Sequence, residues 1–241
     1  MASPIRTLHI VESPDALEPL LAEVRAAREA AGCSSAELYR SAGTDRHLVL
    51  TTVWDSENAF SAWWATGDSG GLPELKRLVE APAAVNEFYR QDAYGMVDGL
   101  WLYADADESV RRIVWPARGA VRIVIQYAIE PNPEAYERIA VEVADTRREA
   151  GCAFYDWLVN VELPDHLALV ELWTDQVRYD RHSQLRVDSA AYRGDPLRRR
   201  RPPERGPVAI EFYRQQSFVA QYGRWLPADV DQYATSVRWA P

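Results

Sequence analysis

Glu87-Phe88-Tyr89-Arg90-Gln91 returns unchanged as Glu211-Phe212-Tyr213-Arg214-Gln215, at an offset of 124 residues in a chain of 241. Farther along, Trp101-Leu102 with Asp105 and Asp107 returns as Trp225-Leu226 with Asp229 and Asp231 at the same offset. Toward the N-terminus, Gly32-Cys33 returns as Gly151-Cys152, His47-Leu48 as His166-Leu167 and Val53-Trp54 as Leu172-Trp173, all at an offset of 119. Five residues are therefore inserted between Trp173 and Glu211. Solenoids and propellers need three or more short units, so two long units mean two copies of one small domain. The copies fall at residues 1–117 and 118–241, and each is long enough to bury its own core.

Each copy reads as the same order of elements. In the first, an alternating strand over 7–12 precedes the helix start Ser13-Pro14-Asp15, and Leu17, Leu20, Leu21, Val24, Ala27 and Ala31 share one helical face. Gly32 stops that helix, a strand runs through Leu38-Tyr39-Arg40, and Ala42-Gly43-Thr44-Asp45 turns into a second strand, Leu48 to Trp54. Asp55-Ser56-Glu57 opens a second helix, Leu72 to Glu80 gives a short third one, and Val85 to Gln91 is the last strand. The second copy repeats this with strands at 121–129, 154–161, 166–173 and 208–215, a helix whose stripe is Tyr136, Ile139, Ala140, Val143 and Ala150, and a helix over 175–185. The order is βαββαβ. Strands such as Val121-Arg122-Ile123-Val124-Ile125 are apolar on both faces, so the sheet needs two covers. Its helices supply one, the sheet of the other copy is the simplest second, and the two halves are expected to pack face to face.

The net charge of -9 argues against nucleic acid and anionic membrane as partners. The first copy carries 10 basic and 18 acidic side chains and the second 17 and 18, because Arg186 to Arg205 contribute seven arginines. Arg198-Arg199-Arg200-Arg201-Pro202-Pro203 lies in the inserted stretch and reads as a solvated surface loop, with a docking site for an acidic partner as the alternative. No apolar run approaches the roughly 20 residues that span a bilayer, and Met1 to Arg6 lacks the pattern of a signal peptide, so a cytoplasmic protein is expected. Cys33 and Cys152 hold equivalent places and read as small buried residues, not as a disulfide or metal site. Four scattered histidines form no metal-binding spacing and there is no GxGxxG turn, so no cofactor is expected.

Gly32-Cys33 followed by Glu37-Leu38-Tyr39-Arg40-Ser41, and Val53-Trp54-Asp55-Ser56-Glu57-Asn58-Ala59-Phe60 leading to Trp63, resemble the antibiotic biosynthesis monooxygenase domains. Glu171-Leu172-Trp173-Thr174-Asp175 followed by Tyr179 and His182 carries the same pattern in the second copy. The resemblance covers both halves except their tails. It implies an α+β fold of two tandem ferredoxin-like domains whose antiparallel sheets pack face to face as a fused dimeric α+β barrel, an intramolecular pseudo-dimer that itself could pair as a homodimer. Members include cofactor-independent oxygenases of aromatic polyketides, quinol monooxygenases and haem-degrading enzymes, and fold alone does not choose among them. The place of the haem-degrading enzymes' iron-ligating histidine is held here by Pro73 and Tyr192, which speaks against that chemistry.

Cofactor-free oxygenation asks for a dry pocket, a group that takes the substrate proton and donors that orient the anion. The resemblance puts His182 in the proton-taking role, and helical spacing sets Tyr179 and His182 on one face. A satisfied core histidine is the competing reading. Trp54, Trp63, Trp157 and Trp173, with Tyr39 and Tyr155, can wall a flat aromatic substrate, and Asn58 can orient a carbonyl or simply cap its helix. The position matching His182 in the first copy is Trp63, so the two copies cannot share one chemistry. Tyr213 and Arg214 are further candidates, although strand alternation lets only one of them face a given pocket. His47 and His166 follow hairpin turns and read as rim residues.

The expected activity is oxidation of an anthrone- or hydroquinone-like polyketide intermediate by O2, in antibiotic or secondary-metabolite biosynthesis. A polyketide cyclase of the same fold and a binding protein for a hydrophobic metabolite stay open. The paired tryptophans of the tails, Trp101 with Trp115 and Trp225 with Trp239, predict that each tail folds back across the other domain.

Overall fold

The computed structural model describes residues 4–12, 17–43, 46–90, 94–97, 100–103, 119–130, 132–187, 195, 197, 199–221 and 224–228. The first copy forms β1 (Ile5–Glu12), α1 (Leu17–Arg28), β2 (Cys33–Ser41), β3 (His47–Trp54), α2 (Glu57–Ala65), a 3-10 turn (Thr66–Ser69), α3 (Pro73–Val79), β4 (Val85–Arg90), β5 (Tyr94–Val97) and β6 (Leu100–Tyr103). The second forms β7 (Val121–Ile129), α4 (Pro133–Thr146), β8 (Cys152–Asn160), β9 (His166–Trp173), α5 (Gln176–Val187), β10 (Arg200–Arg201), β11 (Ala209–Arg214), β12 (Ser217–Gln221) and β13 (Arg224–Pro227). The βαββαβ order holds in both copies, and the fold is α+β with antiparallel, ferredoxin-like sheets. Among the described residues no helix is long and apolar enough to cross a membrane.

Local chemistry sets the ends of these elements. Gly32 and Gly151 sit at φ 81° and 93°, in the left-handed region that side chains avoid. Each carbonyl accepts across to the end of the following hairpin, from Asp55 N–H and from Thr174 N–H, both at 2.8 Å. A Cβ on Gly32 would lie 2.6 Å from the Cβ of Ala59, so backbone angle and close packing both demand the glycine. Ser56 caps α2 by accepting from Ala59 N–H, and Asn132 caps α4 by accepting from Glu134 N–H, with Pro133 at the first helical position.

Contacts divide the chain into two compact units: residues 1–40, 46–91 and 216–241 make one, and 41–45 with 92–215 the other. In the first unit the strand order is β2-β3-β1-β4-β12-β13. The hairpin β12–β13, from the second copy's tail, joins the sheet through Ser217 opposite Glu87 and Phe218 opposite Asn86. In the second unit the order is β8-β9-β7, with β11 and the short β10 both along β7, and the β5–β6 hairpin of the first copy's tail lies against β11. Each unit thus takes in the tail of the other copy. Trp225 packs on Phe88, Trp64 and His9, at ring centroid distances of 4.7, 5.1 and 5.9 Å. Trp115 and Trp239 lie outside the described residues.

In the second unit the helix-covered face of the sheet holds the core: Ile123, Ile125, Tyr127, Trp157, Leu167, Leu169, Trp173 and Phe212 meet Ile139 and Val143 of α4 and Tyr179 of α5. Ala140, expected on this stripe, is exposed, and Glu142 is buried in its stead. The opposite faces are buried too and carry charge, with Arg6, Glu37 and Glu87 at 0% exposure in the first unit and Arg122, Asp156 and Glu211 at 1% or less in the second.

Arg199 and Arg200 are exposed, as the composition suggests, yet the insertion is tied to its unit at several points. Arg200 and Arg201 pair with Ile129 and Ala128, the Arg200 guanidinium lies 4.6 Å from the Tyr127 ring, and Arg201 and Arg205 pair with Asp165 and Glu162. Cys33 and Cys152 are free thiols and half-buried, and burial pushes both up to about 11.

Candidate functional site

β8, α4 and α5 of the second unit bring together a polar centre under an otherwise apolar core. β8 alternation aims Tyr155 and Trp157 at the helices, and both reach Glu142 of α4: the Tyr155 hydroxyl donates to Oε1 at 2.5 Å and the Trp157 indole at 3.0 Å. Arg186 of α5 pairs with the same oxygen at 2.9 Å, donates to the Thr146 hydroxyl, and holds its guanidinium 5.6 Å from the Tyr155 ring. A buried carboxylate is tolerated here because a cation and two neutral donors meet it. Burial and the Glu142 charge push the Tyr155 phenol well above its usual value, so it stays protonated and acts as a donor.

His182, one helical turn before Arg186, is 4% exposed and lies against Trp173 at 4.6 Å between ring centroids, with the Tyr155 ring edge-on at 5.8 Å. Its Nδ1 is 3.0 Å from both carboxylate oxygens of Glu149. A carboxylate only accepts, so Nδ1 carries the hydrogen and the lone pair falls on Nε2. Burial lowers the His182 pKa first and the Arg186 charge second, against the opposing pull of Glu149. The ring is neutral at neutral pH and oriented by an acid, the arrangement a general base needs. An open cleft of about 400 Å³ on the outer side, lined by Glu137, Arg138, Val141, Asp145, Glu142 and Arg186, ends on the Glu142–Arg186 pair.

The first unit keeps the frame and changes the chemistry. Glu23 occupies the place of Glu142 at the same 119-residue offset, yet its two oxygens accept from Glu74 N–H and Leu75 N–H, at 2.9 and 2.8 Å, and so cap α3. Tyr155, Trp157 and His182 are replaced by Ala36, Leu38 and Trp63. Trp63 closes on Trp54 at 5.1 Å and Phe60 at 6.0 Å, and the Trp54 indole is satisfied by Thr52 where that of Trp173 uses Glu171.

Of the residues expected at a site, the structure joins Tyr155, Trp157, Trp173, Tyr179 and His182 around one core, and Trp54 with Trp63 around another. Tyr39 is buried on the opposite face of its sheet, in register with Val49. Tyr213 also faces away from His182 and donates to Glu211 at 2.8 Å, as Tyr89 does to Glu87 at 2.7 Å. Arg214 is half-buried at the strand end over Gly119, whose added Cβ would fall 2.1 Å from its Nη2. Asn58 is exposed in the first turn of α2 and touches neither cluster. His166, expected at a rim, is fully buried, and His47 is half-buried. Sequence reasoning missed Glu142, Glu149 and Arg186. The first had a signal, since a glutamate recurs in the apolar stripe of both first helices; the other two look like ordinary surface charges until the fold places them.

The sequence pattern of the antibiotic biosynthesis monooxygenases matches residues 12–79 and again 120–191. The chain belongs to this family. Both repeats fall inside the family's pattern, which places Trp173, Tyr179 and His182 within the matched region of the second copy. No curated protein matches the chain. Among solved structures it is similar to an anthrone oxidase-like protein, at 13% identity over 95% of this chain and 97% of that one, with a TM-score of 0.35. A Mycobacterium tuberculosis protein aligns at 22% identity over 39% of this chain and 93% of its own, with a TM-score of 0.29. An aldoxime dehydratase in complex with butyraldoxime aligns at 12% over 90% and 80%, with a TM-score of 0.46.

Proposed function

We propose that the second unit oxidises an electron-rich aromatic, an anthrone or hydroquinone of the polyketide kind, with molecular oxygen, and that His182 is the base and no bound cofactor takes part. The observation that carries this reading is the buried His182, held by the half-exposed Glu149 and set against Trp173 and Tyr155. His182 Nε2 removes a proton from the substrate, whose anion is electron-rich enough to pass one electron to O2. The resulting radical and superoxide combine to a peroxide, which takes the proton back from His182. Loss of water then turns the attacked carbon, the CH2 of an anthrone or a ring C–H of a hydroquinone, into C=O, so that one O2 is consumed and one water released. Glu149 stabilises the imidazolium formed in between, and the apolar core excludes bulk water from the intermediate. Arg186, which lines the outer cleft, supplies a positive charge that attracts the substrate anion.

Oxygen uptake by the metal-stripped protein with a panel of anthrones and hydroquinones tests this. Uptake is expected in the wild type and in Trp63→Ala, and is expected to fall at least a hundredfold in His182→Ala, the usual worth of a general base. Uptake unchanged in His182→Ala would remove His182 from the reaction. Product formed without oxygen consumption would replace oxygenation by cyclisation.

A further inference from the structure

In the second unit the hydrogen bonds of a tyrosine and a tryptophan meet on one carboxylate oxygen. Tyr155 donates its phenol hydrogen to Glu142 Oε1 at 2.5 Å, and Trp157 donates its indole hydrogen to the same oxygen at 3.0 Å. Both rings are buried, at 1% and 0% exposure, while Glu142 lines the outer cleft. On its other side the Tyr155 ring stands edge-on to His182, so the phenol connects the His182 centre with the cleft. A phenol or an indole gives up an electron more easily when its proton leaves at the same time, and a hydrogen-bonded carboxylate is a ready place for that proton. Beyond Trp157, Tyr127 lies 6.0 Å away but donates to the Leu197 carbonyl, which accepts a hydrogen bond and takes no proton. Tyr89 with Glu87 and Tyr213 with Glu211 are also tyrosine–glutamate pairs, yet their carboxylates are fully buried where that of Glu142 opens on the cleft. In the first copy Tyr155 and Trp157 become Ala36 and Leu38, and Glu23 is committed to capping α3.

We propose that Tyr155 and Trp157, with Glu142 as their shared proton acceptor, form a redox-active pair that gives one electron to an oxygen-centred radical at the His182 centre. The pair's use in turnover rests on the oxygenase reading above; its capacity to lose an electron does not. On that reading the substrate radical combines with superoxide. If superoxide escapes, the substrate radical adds a second O2 and becomes a peroxyl radical, one electron short of the peroxide. Tyr155 supplies this electron as its O–H bond breaks and its proton passes to Glu142. The proton held on His182 then completes the hydroperoxide. The step leaves a neutral Tyr155 phenoxyl radical, protonated Glu142 and neutral His182, with atoms and charge conserved. Trp157 next gives an electron to the Tyr155 oxygen, which recovers its proton from Glu142 as the indole hands over its own. A thiolate or ascorbate entering the cleft returns one electron, and Glu142 gives the proton back to the indole. Arg186, paired with the same Glu142 oxygen at 2.9 Å and lining the cleft, attracts such anions.

The test generates a one-electron oxidant in solution, by flash photolysis of a ruthenium tris-bipyridine sensitiser with a sacrificial acceptor, in the presence of the full chain. Freeze-quench EPR, with ring-deuterated tyrosine to assign the signal, reads the radical formed. The wild type is expected to give a tyrosyl signal that is lost in Tyr155→Phe. It should also be lost in Glu142→Gln, whose amide oxygen still accepts the two hydrogen bonds but takes no proton. Trp157→Phe should keep the tyrosyl signal and prolong it, and Tyr89→Phe and Tyr213→Phe should leave it unchanged. A signal that survives Tyr155→Phe or Glu142→Gln overturns the pair. The rate of radical formation in D2O gives a measure that does not depend on how well Glu142→Gln folds: slower formation is expected, and equal rates in H2O and D2O overturn the coupled proton step. Oxygen uptake that depends on His182 in a chain forming no Tyr155 radical would remove the pair and leave the oxygenase reading standing. A Tyr155 radical in a chain that consumes no oxygen with any anthrone would overturn the peroxyl step together with that reading.

Discussion

His9 and His182 are both neutral at neutral pH, and burial is the first cause in each. His9 is lowered to about 4, with Asn86 and Glu87 pulling weakly the other way. The unfolded chain binds a proton at such a histidine near pH 6.5 and the folded chain does not, so protons favour unfolding as the pH falls. The stability that His9 contributes is thus complete above about pH 6.5 and is lost on descending to about 4, a difference on the order of 3 kcal/mol. His182 acts in the same direction. Urea midpoints measured from pH 7 to pH 4 should fall steeply for the wild type and clearly less for His9→Phe. Parallel curves would mean that His9 is hydrated and titrates normally. None of this was legible in the sequence, because burial of one strand position depends on what the helices and the tail hairpin lay over it.

At the scale of elements, one glutamate in two copies shows how the same letter serves two ends. Glu23 caps α3 through two backbone N–H groups, while Glu142 takes a tyrosine, a tryptophan and an arginine. Glu23→Ala should cost roughly 1–2 kcal/mol, the value of a lost cap, and should speed amide exchange in α3 alone. Glu142→Ala leaves three donors facing a core and should cost more, roughly 3 kcal/mol, with Tyr155→Phe and Trp157→Phe restoring part of it. Thermal melts of the single and combined variants decide this, and equal costs at the two sites would show that the buried donors find water. The helices and strands themselves were readable from periodicity and from Gly32, Gly151, Ser56 and Pro133. The exception is the insertion, where arginines that looked solvated are bound to Asp165, Glu162 and the Tyr127 ring.

At the scale of the molecule, the compact units do not coincide with the two copies. Residues 216–241 belong with the first copy's sheet, and 92–117 with the second copy's. Cutting the chain between residues 117 and 118 should therefore give two halves that each lack a piece of their own unit. Produced alone, each is expected to aggregate or self-associate, with Phe218 and Trp225 of the second half uncovered. Produced together, they should co-purify as a one-to-one pair. Size-exclusion chromatography with light scattering measures both, and two well-behaved monomeric halves would show that the exchanged hairpins are dispensable.

The duplication, the βαββαβ order and the family were legible in the sequence, since each depends on local spacing that a repeat displays twice; His182 was a candidate only through the family resemblance, because the first copy has Trp63 in its place. Tertiary structure alone decided that Tyr213 and Tyr39 turn away from the site, that Asn58 points outward, and that Glu142, Glu149, Arg186 and His9 become buried or paired. Periodicity tells which side of an element is inward; it does not tell which charge on a neighbouring element will meet it. That depends on contacts between residues far apart in the chain, such as Glu149 with His182 or Trp225 with His9, for which a single sequence holds no record.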